Sequence, residues 1–219
     1  MNDDSPADLA ALLCSRLCHD MLSPVGALNN GLELLADETD PKMRQQCMEL
    51  LEQSAKTSAD KLKFFRLAYG AAGGFGEMVE VSDAKSVIET LVANAKRVEL
   101  NWAMDAVKLP KDAIKVLLNL AHIALDALVR GGTLDIGAEV LDGNTEIVVR
   151  ATGTKIAFDE TIGKALQGQL PIAEISSRTA PAHMICLLAE RIGGGLQYRA
   201  DAGSLVLGGV LPQPSGLIG

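Results

Sequence analysis

Apolar residues recur every three or four positions through the first part of the chain, and this spacing predicts one long amphipathic helix. Pro6 suits the first helical position, Ser5 can cap the helix, and Asp8 completes a pattern that resembles a capping box. Pro24 lies in the helix interior, where it removes one backbone hydrogen bond and should kink the helix. The apolar stripe consists of Leu9, Leu13, Leu17, Met21, Val25 or Pro24, Leu28, Leu32 and Leu35.

A second helix is expected after a short break at residues 37–41, with Thr39 or Asp40 as its cap, Pro41 at its start and Tyr69 near its end. Its apolar side consists of Met43, Cys47, Leu50, Leu51, Ser54, Ser58, Leu62 and Phe65. Two long helices joined by a tight turn form a hairpin whose apolar sides cannot all be buried between them. We expect a dimer that forms a four-helix bundle, and the alternative is packing against the rest of the chain.

The glycine-rich residues 70–76 predict a linker, and after them short strand-like runs alternate with helical segments. Asp142-Gly143-Asn144 is a strong hairpin-turn signal. The strands are predicted at 78–81, 98–104, 133–141, 145–152, 196–200 and 204–211, and the helices at 82–97, 111–129, 159–167 and 182–192. Helices among largely antiparallel strands indicate an α/β sandwich with its helices on one side of the sheet. The predicted fold class is therefore α+β, with a helical hairpin domain at 1–72 and an α/β domain at 73–219.

Composition and charge narrow the possible partners. The formal net charge of −8 over 219 residues argues against a nucleic-acid partner, which requires clustered Lys and Arg. The four cysteines match neither a zinc ribbon nor a redox pair, although Cys14, Cys18 and His19 leave metal binding as a remote alternative. The N-terminus is polar and acidic, and no run reaches the roughly 18 apolar residues of a membrane span. We therefore expect a cytoplasmic protein without a metal, a cofactor or a membrane contact.

His19, within the stretch CHDMLSP, is the candidate reactive residue. A helix turns by about 100° per residue, so His19 lies about 200° from the apolar stripe and should be exposed. Asp20 follows it and could hold one imidazole nitrogen by a hydrogen bond, which leaves the other nitrogen free to attack. Such an imidazole suits a phosphoryl acceptor, because phosphoryl transfer depends mainly on positioning and charge stabilisation. His122 lies in an apolar helix and His183 has no acid beside it, so both are interpreted as packed.

A docking surface for a protein partner is expected on the outward side of the first helix around His19. Antiparallel pairing of the two helices places positions near 59 opposite His19, so Lys56 and Lys63 would lie one turn to either side and could balance a phosphate charge. A partner that exchanges a phosphoryl group with His19 must be released afterwards, so a small contact area is expected. The other expected contacts are Arg16, Leu22, Ser23, Gly26, Asn29, Asn30 and Glu33.

The stretch LCHDMLSPVGALNNGLELL resembles the H-box of histidine kinases, in which an acid, and then Thr or Ser followed by Pro, come after the phosphorylated histidine. The resemblance implies that His19 is the phosphoacceptor and that Asp20 assists its reactivity. Residues 115–136 resemble the N-box of the Bergerat-type ATP-binding domain of these kinases, whose usual pattern is NLxxNAxK.

This nucleotide-binding half departs from the kinase pattern. Asn119 and Leu120 match the start of the N-box, but Ile123 replaces the magnesium-binding Asn and Asp126 replaces the basic residue. Ala151 stands where the kinases carry the Asp that binds adenine, and the glycine-rich lid has no counterpart. A buried polar contact left unpaired costs roughly 1–3 kcal/mol, so several such losses should abolish nucleotide binding.

A kinase-like body with an intact H-box and a degenerate nucleotide site resembles the ChpT family of histidine phosphotransferases. The resemblance implies a homodimer that takes phosphate on His19 from the receiver domain of a CckA-like hybrid kinase. It also implies that the phosphate passes to the receiver domains of CtrA-like and CpdR-like response regulators. Two other functions stay open: an ATP-dependent sensor kinase, which requires nucleotide binding, and a non-catalytic dimeric binding module, for which His19 is dispensable.

Overall fold

A computed structural model describes residues 6–70, 78–95 and 97–213. Two long helices begin the chain: α1 spans Pro6–Asp37 and α2 spans Pro41–Ala68. Asp40 caps α2, and its Oδ2 accepts a hydrogen bond from the backbone N–H of Met43 across 3.2 Å. The predicted cap at Ser5 and most of the predicted linker lie outside the described residues.

The two helices pack antiparallel, and the residues between them differ in part from the predicted stripe. Pro24 and Gly31 are the buried residues of α1, whereas Val25 and Leu32 remain exposed. Gly31 lies inside because the helices approach closely there, and a Cβ at this position would come within 2.9 Å of Leu51. The predicted stripe contained Leu32 but not Gly31, because it followed hydrophobicity, whereas the contact between α1 and α2 requires the absence of a side chain.

The second part of the chain contains four further helices and seven short or medium strands in its described residues. The strands are β1 (Met78–Glu80), β2 (Val98–Ala103), β3 (Lys108–Pro110), β4 (Gly132–Leu141), β5 (Asn144–Thr152), β6 (Gly195–Asp201) and β7 (Ser204–Pro212). The α-helices are α3 (Val81–Asn94), α4 (Lys111–Ala127), α5 (Glu160–Leu166) and α6 (Ala180–Arg191), with a 3-10 turn at Ile172–Glu174. Sequence reasoning missed β3, which pairs with β1. The helix predicted at 82–97 begins one residue earlier, at Val81 after Glu80, and ends at Asn94.

Five strands form the main sheet in the order β2-β4-β5-β7-β6. The β2–β4 pair is parallel and the other pairs are antiparallel. Asp142 and Gly143 both have positive φ, at 50° and 76°, as expected for the predicted tight hairpin turn. Burial alternates along β5, so that its inward residues join the core under the helices while the residues between them face solvent. This arrangement confirms the predicted α/β sandwich.

The hairpin is joined to the sandwich through the end of α2. Phe64, Phe65 and Ala68 are buried in the same apolar core as α4, and Leu17 and Met21 of α1 pack against that core. The part of the hairpin near the turn between α1 and α2 keeps several large apolar side chains exposed, namely Leu32, Leu34, Met43 and Met48. Across the described parts of the chain, no helix combines the length and the apolar character that crossing a bilayer would require.

A close contact between α5 and β6 provides a test of the packing within the sandwich. A Cβ at Gly163 would overlap with the outer atoms of the Tyr198 ring, which itself packs against Phe158. Gly163→Ala should therefore lower the free energy of unfolding by about 1–3 kcal/mol, even though alanine is the better helix former. Chemical denaturation followed by circular dichroism measures the change.

The matched control is Gly26→Ala in α1, where a Cβ would meet nothing within 4 Å. This variant should gain about 0.5–1 kcal/mol, because alanine loses less backbone freedom in a helix than glycine does. If both variants gained stability, the contact between Gly163 and Tyr198 would not exist as described.

Candidate active site

His19 lies near the middle of α1, and 82% of its side chain is exposed. The exposure expected from the helical spacing is confirmed. Its Nδ1 lies 3.2 Å from Oδ1 of the neighbouring Asp20, whose side chain is only 12% exposed. An exposed imidazole is thus held on one side by a largely buried acid.

Three contacts fix Asp20. Besides the contact with His19, Arg16 donates from Nε to Asp20 Oδ2 across 2.7 Å, and Lys61 of α2 donates from Nζ to the Asp20 backbone carbonyl across 2.9 Å. Burial alone would raise the pKa of the Asp20 carboxyl, but the hydrogen bonds from Arg16 and His19 outweigh it and lower this pKa below its ordinary value. Asp20 is therefore a carboxylate at neutral pH.

The ionised Asp20 determines which nitrogen of a neutral His19 is available. A carboxylate only accepts hydrogen bonds, so its contact with Nδ1 requires the imidazole proton to be on Nδ1. The lone pair is then on Nε2, at the other end of an exposed ring. A nucleophile held in this way by a neighbouring group is the arrangement that covalent catalysis needs.

Arg16 was expected on the docking surface, but its side chain is largely engaged with two carboxylates. Its Nη2 lies 3.4 Å from Oδ2 of Asp126 on α4, in addition to the shorter contact with Asp20. Arg16 therefore links the helix that carries His19 to the sandwich, and its side chain is only 20% exposed. Its part in partner binding stays a prediction.

The other expected docking residues lie on exposed or half-buried parts of the hairpin. Leu22 is the most exposed large apolar residue of α1, at 70%. The exposed members besides Leu22 are Ser23, Asn29, Asn30, Glu33, Lys56 and Lys63, and Gly26 is half-buried. Their role in docking stays a prediction.

Sequence reasoning missed Lys61, the lysine that contacts Asp20. The predicted pairing placed positions near 59 opposite His19, whereas Gly31 contacts Leu51 and Lys61 reaches Asp20, so the actual register is slightly later. A glycine within α1 was a usable signal for the pairing of the two helices, because close helix approach requires a small residue on one side.

The other two histidines are packed. The His122 ring lies 4.7 Å from the Phe64 ring, and burial lowers the pKa of His122. His183 is buried in α6. Among the residues that the structure describes, no three His, Cys, Asp or Glu side chains are grouped so as to hold a metal ion.

The cavity beside the N-box-like residues is small. It lies between α4, the segment before α5 and the start of α6, and its volume is about 70 Å³, whereas pockets for drug-sized ligands span roughly 300–1,000 Å³. Asn119 turns back on its own helix and donates from Nδ2 to the Lys115 carbonyl across 2.8 Å. Asp159 and Arg178, which both line the cavity, form an ion pair at 3.2 Å. Ala151 is completely buried, and its methyl group cannot form the hydrogen bond to adenine that an Asp would form at this position.

Comparison with known proteins agrees with this geometry. Residues 81–204 match the family described as "Histidine phosphotransferase C-terminal domain". The chain is 37% identical over 206 residues to the protein phosphotransferase ChpT of Brucella abortus (strain 2308), a match that covers 92% of this chain and 95% of that protein. A solved structure of a bacterial phosphotransferase is similar with a TM-score of 0.82 and 34% identity, over 94% of this chain and 98% of that one.

A more distant likeness concerns the fold alone. The histidine kinase domain of a blue-light-activated histidine kinase from Erythrobacter litoralis matches with a TM-score of 0.50 and 13% identity, over 87% of this chain and 94% of that one. The hairpin and sandwich are thus a histidine-kinase-like fold. The family match over residues 81–204 and the extent of the similarity to ChpT show that the chain belongs to the histidine phosphotransferase family.

Proposed function

We propose that the protein is a phosphorelay intermediate that carries a phosphoryl group on Nε2 of His19. It takes the group from the aspartyl phosphate of one receiver domain and passes it to the aspartate of another. The observation that carries this proposal is the contact between His19 Nδ1 and the ionised Asp20, which leaves Nε2 as the exposed nucleophile. Membership of the histidine phosphotransferase family supports the same reaction class.

The chemistry balances without a further reactant. The Nε2 lone pair forms a bond to phosphorus, the P–O bond of the donor's acyl phosphate breaks, and the donor carboxylate leaves. The Nδ1–H proton stays on the ring, so the phosphorylated imidazole gains positive charge, and the Asp20 carboxylate at 3.2 Å stabilises that charge. In the second transfer an acceptor carboxylate attacks phosphorus, and His19 leaves as a neutral imidazole.

The proposal assigns no kinase activity to the protein. The cavity beside α4 is far smaller than a nucleotide, and Asn119 is bonded to its own helix. Ile123 and Ala151 supply no ligand for a magnesium ion or an adenine amino group. These features disfavour the alternative of an ATP-dependent sensor kinase.

We also propose that the protein is a homodimer formed through the hairpins. Val25, Leu32, Met48 and Leu62 are all substantially exposed, and each belongs to one of the two paired helices. Val25 and Leu32 lie two turns apart on one face of α1. Exposed apolar side chains concentrated on two paired helices are typical of an uncovered interface. A second copy of the hairpin would cover them in a four-helix bundle.

The proposed donor is a CckA-like hybrid histidine kinase. The proposed acceptors are CtrA-like and CpdR-like response regulators. The exposed residues on this part of α1 include an apolar anchor, Leu22, and the amides of Asn29 and Asn30. This combination of apolar and hydrogen-bonding groups suits contact with a partner protein. All four cysteines are free thiols, which fits a reaction in the reduced cytoplasm.

The central test is transfer of radiolabelled phosphate. Purified protein is mixed with a phosphorylated receiver domain and, separately, with labelled ATP. Wild type should take label from the receiver and none from ATP, and His19→Gln should take none from either. His122→Gln is the matched control, because it changes a packed histidine, and it should keep most of the transfer if it folds.

Either of two results would contradict this proposal. Label taken directly from ATP would mean that the protein is a kinase in spite of its small cavity. Full function of His19→Gln in a relay reconstituted with donor and acceptor receivers would favour the non-catalytic binding module instead.

Asp20→Asn should slow phosphoryl transfer to His19 at least roughly tenfold. The amide removes the charge that stabilises the phosphorylated ring, and it can donate to Nδ1 and so favour the wrong tautomer. Rapid-quench measurement of the first turnover gives the rate. A rate equal to that of wild type would show that Asp20 does not orient His19.

Leu32→Glu should convert the dimer to monomers, because it places a charge in the apolar interface, and it should weaken association by roughly tenfold or more. Sedimentation equilibrium measures the association. Val107→Glu is the control, since Val107 is also exposed but lies in the sandwich, and this variant should stay dimeric. A monomeric wild type would reject the proposed dimer.

A further inference from the structure

Asp126 of α4 contributes a carboxylate from the sandwich to the surroundings of α1. Its Oδ2 lies 3.4 Å from Nη2 of Arg16, and its Oδ1 lies 4.0 Å from Nε2 of His122. The pKa of His122 is lowered by burial, so this ring is uncharged at neutral pH and Arg16 is the cation that Asp126 faces. Tyr69 also lies near Asp126 and Arg16. Burial raises the pKa of Tyr69, so its hydroxyl is uncharged at neutral pH as well.

The Arg16 guanidinium lies between two carboxylates on different elements. Its Nε bonds to Asp20 on its own helix, and its Nη2 approaches Asp126 on α4. A guanidinium is rigid and planar, so two contacts made by different nitrogens fix the orientation of the whole group. The contacts therefore run in sequence from Asp126 to Arg16, from Arg16 to Asp20, and from Asp20 to His19.

We infer that Asp126 is a positioning residue for phosphoryl transfer: it orients Arg16, which keeps Asp20 bonded to Nδ1 of His19. This inference rests on the proposed function, and it assigns to the sandwich a part in the reaction that needs no nucleotide. Asp126 itself touches neither His19 nor the phosphoryl group. Its side chain is 58% exposed, so its removal should disturb the fold little.

The sign of the charge at position 126 is decisive. A basic residue, which the kinase N-box pattern carries here, would face the Arg16 guanidinium and repel it. An acid holds Arg16 instead. Replacement of Asp126 by lysine should therefore impair transfer more than replacement by alanine does.

The test compares Asp126→Ala, Asp126→Glu and Asp126→Lys in the full-length protein. Transfer from a phosphorylated receiver is measured at several receiver concentrations, which separates the rate at saturation from the concentration that gives half of it. Nitrogen-15 NMR of the histidine side chains, with the His19 signals assigned by comparison with His19→Gln, reports the tautomer of His19 without any partner.

Asp126→Ala should lower the saturating rate about two- to fivefold, the range of a partly exposed ion pair, and leave the half-saturating concentration unchanged. The Nδ1–H population of His19 should fall in the same variant. Asp126→Glu should restore most of both, and Asp126→Lys should lower the rate by roughly tenfold. The matched control is Asp112→Ala on the same helix, which loses a 2.6 Å ion pair with Arg191 and should change neither measurement.

An unchanged His19 tautomer in Asp126→Ala would overturn the inference. So would a higher half-saturating concentration at an unchanged saturating rate, because Asp126 would then contact the receiver directly. An equal loss in Asp112→Ala would overturn it too, since any ion pair on α4 would have the same effect. If wild-type protein accepted no phosphate at all, the proposed function would fail, while the NMR comparison would still test whether Asp126 positions His19.

Discussion

The packing of the end of α2 onto α4 is the constraint on which the rest of the structure depends. Phe64, Phe65 and Ala68 enter the same core as the sandwich helices, and this fixes the height and the rotation of the hairpin against the sandwich. Only with that placement can Arg16 on α1 reach Asp126 on α4. Burial of one phenylalanine side chain contributes roughly 1.5–3 kcal/mol, whereas an exposed ion pair contributes at most about 1 kcal/mol. The apolar contact therefore sets the geometry, and the charged contacts refine it.

The parts of the fold that could be predicted from the sequence are those controlled by local pattern. The exposure of His19 follows from 100° per residue, the cap at Asp40 from its place before Pro41, and the turn at Asp142-Gly143 from backbone preferences. Each of these depends on residues that are close together in the chain. The contact of Asp20 with His19 was also within reach of the sequence, because the two residues are adjacent.

The errors arise where residues far apart in the chain meet. Lys61 was missed because a small change in the pairing of α1 and α2 selects a different lysine. Gly31 was passed over because a residue without a side chain adds nothing to a hydrophobic stripe, although close helix approach demands it. The second contact of Arg16 could not be predicted, since its partner Asp126 is 110 positions away. Periodicity indicates which side of a helix a residue occupies. It does not indicate which residue of another element lies opposite that side.

The core of the sandwich is separate from the cleft beside α4, so the histidine-kinase-like fold needs no bound nucleotide for its stability. The core of the sandwich consists of inward residues of β4, β5 and β7 packed under α4, and none of these depends on a bound nucleotide. The cleft residues lie at the margin of that core, where Ile123 and Phe158 now pack against it. Polar side chains that line the cleft are satisfied within the protein, because Asp159 pairs with Arg178 and Asn119 bonds to its own helix. A cleft of this kind is compatible with a stable fold in the absence of a nucleotide, and Asp126 at its edge faces Arg16 of α1.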